Sequence, residues 1–93
     1  MIKSFADKHS RELFNTGKSR RLPPEVLRRA VRRLKYVHYA AKLDDLRSPQ
    51  SNRLHALRGD RKGQHAICIN NQWRICFRFE DGDASDVEVT DYH

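Results

Sequence analysis

The chain has 93 residues, of which 38% are hydrophobic and 33% charged, and a net charge of +7. This length suits one small domain over residues 1–93 with a modest core, and the absence of any apolar run of about eighteen residues, or of an apolar leader, argues against a membrane span or a secretory signal. Two cysteines, Cys68 and Cys76, suit a reduced cytoplasmic protein better than a disulfide scaffold, and the basic excess calls for a polyanionic partner without choosing between nucleic acid, acidic protein and membrane surface.

MIKSF reads as a short first strand. DKHSRELFNTGK reads as a helix, with Asp7 as N-cap and Gly17 as stop signal. SRRLPP is a basic connector, and Pro23-Pro24 puts a proline in the first turn of the next helix, where a missing N–H costs nothing. In that helix, PEVLRRAVRRLKYVHYAA, Val26, Leu27, Ala30, Val31, Leu34, Val37, His38 and Ala41 fall on one face. Arg28, Arg29, Arg32, Arg33 and Lys35 fall on the other. His38, amid apolar neighbours, reads as a core histidine. KLDDLRSP is a short extra turn ending before Pro49.

From residue 53 the pattern alternates. RLHAL is a short strand, GDRKG a turn, QHAICI and WRICFRF strands, EDGD a hairpin turn and SDVEVTDYH the last strand. This order predicts an α+β fold, with two N-terminal helices packed on one face of a small, mainly antiparallel sheet. Trp73, Ile75, Phe77 and Phe79 share a face by period two, and Ile67 and Ile69 join them only if Ile69 meets Trp73 and Ile67 meets Ile75. The other face then carries Ala66, Cys68, Arg74, Cys76 and Arg78, a shallow floor from which two arginines rise. Alternation from Val87 and Val89 sends Asp91 and His93 inward and Tyr92 outward beside Arg74.

Two constellations carry possible chemistry. Arg53, His55, Arg58, Arg61 and Lys62 cluster around a glycine-flanked turn, which reads either as a solvated hairpin or as a phosphate site of fixed cations and free N–H groups. The second is the DYH end. Cleavage of RNA through its own 2′-hydroxyl needs a base, an acid for the leaving 5′-oxygen and cations for the phosphorane charge. His55, Asp91, Tyr92, His93 and the nearby arginines, Arg74 and Arg78 among them, form a set that needs no metal or other cofactor. No spacing matches a zinc site, and neither a glycine-rich nucleotide loop nor a Ser/His/Asp arrangement is present.

NRLHALRGDRKGQ, INNQWRICFRFEDG and VEVTDYH, in that order, resemble the HigB-type toxins of bacterial toxin–antitoxin pairs, within the RelE/ParE superfamily. The likeness spans essentially the whole chain. It implies a RelE-like fold and a ribosome-dependent endonuclease that cuts translated mRNA in the ribosomal A site. It also implies a HigA-like helix-turn-helix antitoxin as partner, with operator DNA reached only through that antitoxin. Carried over by position, His55, Asp91, Tyr92 and His93 would be catalytic, and Arg58 and Arg74 would hold the message backbone. Some relatives have glutamate at the position of His55; its presence here favours a two-histidine scheme. Two other readings are a gyrase poison of the ParE type and a non-catalytic nucleic-acid module using Arg28, Arg32 and Lys35 as a phosphate track.

Overall fold

The computed structural model describes residues 1–91. Helix α1 spans Lys8–Thr16. The Asp7 carboxylate accepts the Ser10 N–H at 2.7 Å, and the helix ends on Gly17 at φ 73, whose N–H reaches the Leu13 carbonyl. These are the N-cap and left-handed stop that satisfy otherwise orphaned backbone groups. Helix α2 spans Pro24–Tyr39 and buries Val26, Ala30, Leu34 and Val37. Two 3₁₀ turns, Leu43–Arg47 and Gln50–Asn52, carry the chain to the sheet.

Strands β1 (His55–Ala56), β2 (His65–Cys68), β3 (Trp73–Glu80) and β4 (Asp83–Asp91) form a four-stranded sheet in sequence order, antiparallel throughout. The central register is the expected one: Ile67 faces Ile75, and the Ile69 N–H donates to the Trp73 carbonyl. Phe77, Ile75, Ile67 and Trp73 thereby meet Leu13, Leu34 and Val37 in one core. Truncating Leu34 to alanine in such a site costs about 2–5 kcal/mol. The α+β architecture with helices over an antiparallel sheet is therefore the one anticipated.

Local details differ from expectation. RLHAL contributes only His55–Ala56 as strand, and Arg58 leads into a 3₁₀ turn at Gly59–Arg61. MIKSF makes no regular strand but lies parallel to β4 through bridges at Ile2–Ala84 and Phe5–Val87. Main-chain bonds run both ways along this edge, among them Ala84 N–H to Met1 O and Ala6 N–H to Val87 O. The Val89 N–H continues the edge by donating to the buried Ser10 hydroxyl at 2.9 Å. An otherwise open strand edge is thus closed. His38 belongs to this seam: its Nδ1 accepts the Ile2 N–H at 3.1 Å and its ring packs on Phe14.

A bulge interrupts the β3–β4 ladder, because Cys76 pairs with Glu88 while Arg78 pairs with Ser85. The extra residue comes at Asp86, in the left-handed region at φ 52. It brings Ala84 as well as Val87 and Val89 onto the buried face. On the opposite face, Ala66 and Cys76 are wholly buried rather than a solvated floor. Arg61 carries the β1–β2 connection over this row by donating to Gln64 Oε1 and Glu88 Oε1. Gly63 suits its φ of 93, a left-handed conformation that side-chain-bearing residues rarely adopt.

Candidate active site

Asn52 prepares the position of His55. It is completely buried, and its Nδ2 donates to the Leu46 carbonyl at 3.1 Å, fixing the turn before β1. Arg53 then takes a left-handed conformation, φ 48, which redirects the chain into the strand. His55 Nδ1 lies 2.7 Å from the Arg53 carbonyl oxygen. A carbonyl can only accept, so Nδ1 carries the proton, and the neutral ring keeps Nε2 as its basic nitrogen.

His55 and Arg53 form one wall of an open cleft of about 420 Å³. Helix α2 contributes Arg29, the Gln50–Asn52 turn Ser51, and the sheet Cys68 and Arg74. The β2–β3 loop closes one end with Ile69, Asn70 and Asn71. This loop is held by Asn70, whose Oδ1 accepts the Gln72 and Trp73 N–H groups at 2.8 and 2.7 Å. No carboxylate is among the described residues lining the cleft, so its arginines set the local potential. A phosphodiester suits such a site better than a neutral ligand.

The end of β4 lies at the same end of the sheet. Thr90 stands opposite Arg74, and Asp91 opposite Trp73. Opposite the buried Trp73, Asp91 keeps the core-facing side that alternation predicts, but it lies beyond the last buried residue of β4, Val89. It is exposed at the core's rim, where its Oδ2 accepts the Gln72 amide at 2.9 Å. Tyr92 and His93 lie outside the described residues.

The remaining candidates separate from this group. Arg58 and Lys62 are exposed around the Gly59–Arg61 turn and do not line the cleft. Arg61 is half-buried against Glu88 at 3.0 Å; burial is the largest single influence and opposes its charge, but the Glu88 hydrogen bond and the negative charges of Cys76 and Glu88 together raise its pKa. Arg78 pairs with Asp86 at the bulge, 3.4 Å away. Cys76 sits beneath Arg61, and burial pushes its thiol pKa up despite Arg61 and Arg74 nearby. Among the described residues, no three His, Cys, Asp or Glu side chains cluster as metal ligands.

Sequence reasoning missed four groups. Arg29 and Arg33 fall by periodicity on the basic face opposite the apolar stripe, yet Arg29 lines the cleft and Arg33 is buried behind it. Their spacing of four residues, on the flank of the apolar stripe beside Ala30 and Val37, was the available signal. Ser51 and Asn71 gave none, because the cleft is assembled from segments distant in sequence.

Comparison with known proteins gives the family and supports the fold. Residues 3–93 match the family described as the RelE-like toxin of the type II toxin–antitoxin system HigB. The chain is 38% identical over 93 residues to a protein named Endoribonuclease HigB from Proteus vulgaris, covering 100% of both. It is 35% identical over 83 residues to Toxin HigB-1 of Vibrio cholerae serotype O1, covering 88% of this chain and 87% of the other. In fold it is similar to a chain of the YoeB-YefM complex from Staphylococcus aureus, with a TM-score of 0.62 at 13% identity, covering 100% of this chain and 95% of that one. With so full a match in sequence, the chain belongs to the HigB-like toxins of type II toxin–antitoxin systems.

Proposed function

We propose that this toxin is an endoribonuclease that cuts translated mRNA in the ribosomal A site and so arrests translation and growth. The observation that carries this reading is His55, held by the Arg53 carbonyl with Nε2 as its basic nitrogen, in a cleft lined by Arg29, Arg53 and Arg74. The name of the Proteus vulgaris relative supports the same activity.

In the proposed reaction, His55 Nε2 takes the proton of a ribose 2′-hydroxyl. The 2′-oxygen attacks the adjacent phosphorus and the bond to the 5′-oxygen breaks, leaving a 2′,3′-cyclic phosphate. The departing 5′-oxygen takes a proton from an acid at the chain's end, for which His93 is our candidate, with Tyr92 and Asp91 as its neighbours in sequence. Arg53 and Arg74 stabilise the phosphorane charge, which exceeds that of the ground state and therefore rewards fixed cations. Arg58, Arg61, Lys62 and Arg78 are proposed to meet RNA farther from the bond. This route asks for no metal or other cofactor.

An open cleft of about 420 Å³ cannot by itself set the register of a message. The ribosome is proposed to present the strand, and purified protein should cut free RNA poorly at concentrations that cut translated message. A HigA-like helix-turn-helix antitoxin is the proposed partner, reaching operator DNA on the toxin's behalf. A cytoplasmic setting follows from a ribosomal substrate. Among the described residues, no helix is long and apolar enough to cross a membrane.

Expression of the wild type, a His93→Gln variant and a chain ending at Asp91, scored for growth arrest and mRNA cleavage, tests the proposal. Only the wild type should be fully toxic. Equal toxicity from all three would overturn the catalytic tail, and a DNA-damage response without mRNA cleavage would indicate a gyrase poison instead. Robust cutting of naked RNA would overturn ribosome dependence.

A further inference from the structure

Arg33 is the one charged side chain buried among the described residues, at 6% exposure. Its Nε donates to the Cys68 carbonyl at 2.7 Å and its Nη2 to Ser51 Oγ at 3.1 Å. Both acceptors are neutral, and no described carboxylate is paired with it. Burial, followed by neighbouring Arg29, lowers its pKa from the usual value, yet a guanidinium keeps its proton in proteins. A buried cation without an anion is unfavourable, and a neutral donor would serve equally well to tie α2 to the sheet. The retained charge asks for an anion.

The hydrogen-bond directions say where that anion belongs. Ser51 Oγ accepts from Arg33, so its own proton is left to donate elsewhere, and Ser51 is exposed on the cleft wall. Arg33 Nε also holds the carbonyl of Cys68, another residue that lines the cleft. Arg29, one helical turn before Arg33, reaches the same wall.

We infer that Arg29 and Ser51 form a phosphate subsite on the α2 side of the cleft, with Arg33 as its buried positioning residue, and that it holds an RNA phosphodiester flanking the one that is cut. The identity of the anion rests on the RNA-cleaving reading; the existence of an anion subsite does not. Arg33 acts through Ser51, whose hydroxyl it aims, and through the positive potential it adds behind a low-dielectric wall.

The test uses the purified full chain with two probes: inorganic phosphate, and a short 2′-O-methyl RNA oligonucleotide whose blocked 2′-oxygen prevents cleavage. Saturable NMR shifts at the Ser51 amide and the Arg29 side-chain N–H are expected with both. Arg33→Met fills similar volume without charge and should weaken oligonucleotide binding about tenfold, whereas Arg33→Lys should restore most of it. In translation-coupled cleavage the Arg33→Met loss should fall on KM and leave kcat nearly unchanged, a split that damage to the fold alone would not produce. Unchanged binding by Arg33→Met overturns the inference. Should that variant fail to fold, the wild-type titration decides: shifts that miss Ser51 and Arg29 overturn the subsite. Phosphate shifting both residues while the oligonucleotide does not bind keeps the anion subsite and overturns its assignment to RNA.

Discussion

Two basic regions of this protein look alike in sequence and differ in electrostatics. Around the Gly59–Arg61 turn, Arg61 and Arg78 each face a carboxylate, Glu88 and Asp86 respectively. Around the cleft, the described lining residues include three arginines and no carboxylate. Charges answered by carboxylates hold a connection over the sheet, whereas the arginines gathered along the cleft add to one positive wall. A net charge counts both kinds equally; only position separates them.

The widest separation should come from His55. Its replacement by alanine should reduce mRNA cleavage by about 10²–10⁴ while leaving the melting temperature nearly unchanged, as general acid–base groups do. Next, Arg53→Gln should lower kcat/KM about tenfold, the scale of one lost charge-assisted hydrogen bond in the transition state. Lys62→Gln, applied to the turn, should change it by less than about threefold, and an equal loss at both positions would erase the distinction.

Stability should respond in the opposite order. Glu88→Gln leaves a half-buried Arg61 without its anion and should cost about 1–2 kcal/mol by urea unfolding, with cleavage by the folded fraction retained. Removing the α1 cap with Asp7→Ala should cost about 1 kcal/mol in the same assay. The smallest effect concerns pH. The folded Cys76 thiol has a raised pKa, so its contribution is complete below the ordinary thiol range and is lost as pH rises through the raised value. Cys76→Ala should lack that alkaline slope in stability measured against pH.

Much of the fold was legible because local rules and the global core agree. The spacing of Ala30, Leu34 and Val37, the Asp7 and Gly17 caps, and the Ile67–Ile75 register each follow from short-range periodicity. What could not be read depends on distant partners. Arg33 meets Cys68 and Ser51, 35 and 18 residues away, so a helical wheel could only place it beside the stripe. The Asp86 bulge breaks strict alternation with a non-glycine residue at positive φ, which no turn signal announced. Of the site, Arg53, His55 and Arg74 were chosen from sequence, and their meeting with Arg29 and Ser51 came from the way α2 and the Gln50–Asn52 turn pack against the sheet.

The seam between the first residues and β4 has a consequence in time. Ser4 meets Asp86 across 82 positions and Ser10 meets Val89 across 79, whereas His55 is held by a carbonyl only two residues away. Short-range elements close quickly, and a contact across so long a loop must wait for most of the chain to be ordered. As residues 1–93 leave the ribosome, the His55 strand can therefore reach its local geometry well before β4 has an edge to dock against. A nascent chain stalled short of β4 would hold His55 by its local hydrogen bond and lack the strand against which residues 1–6 pack.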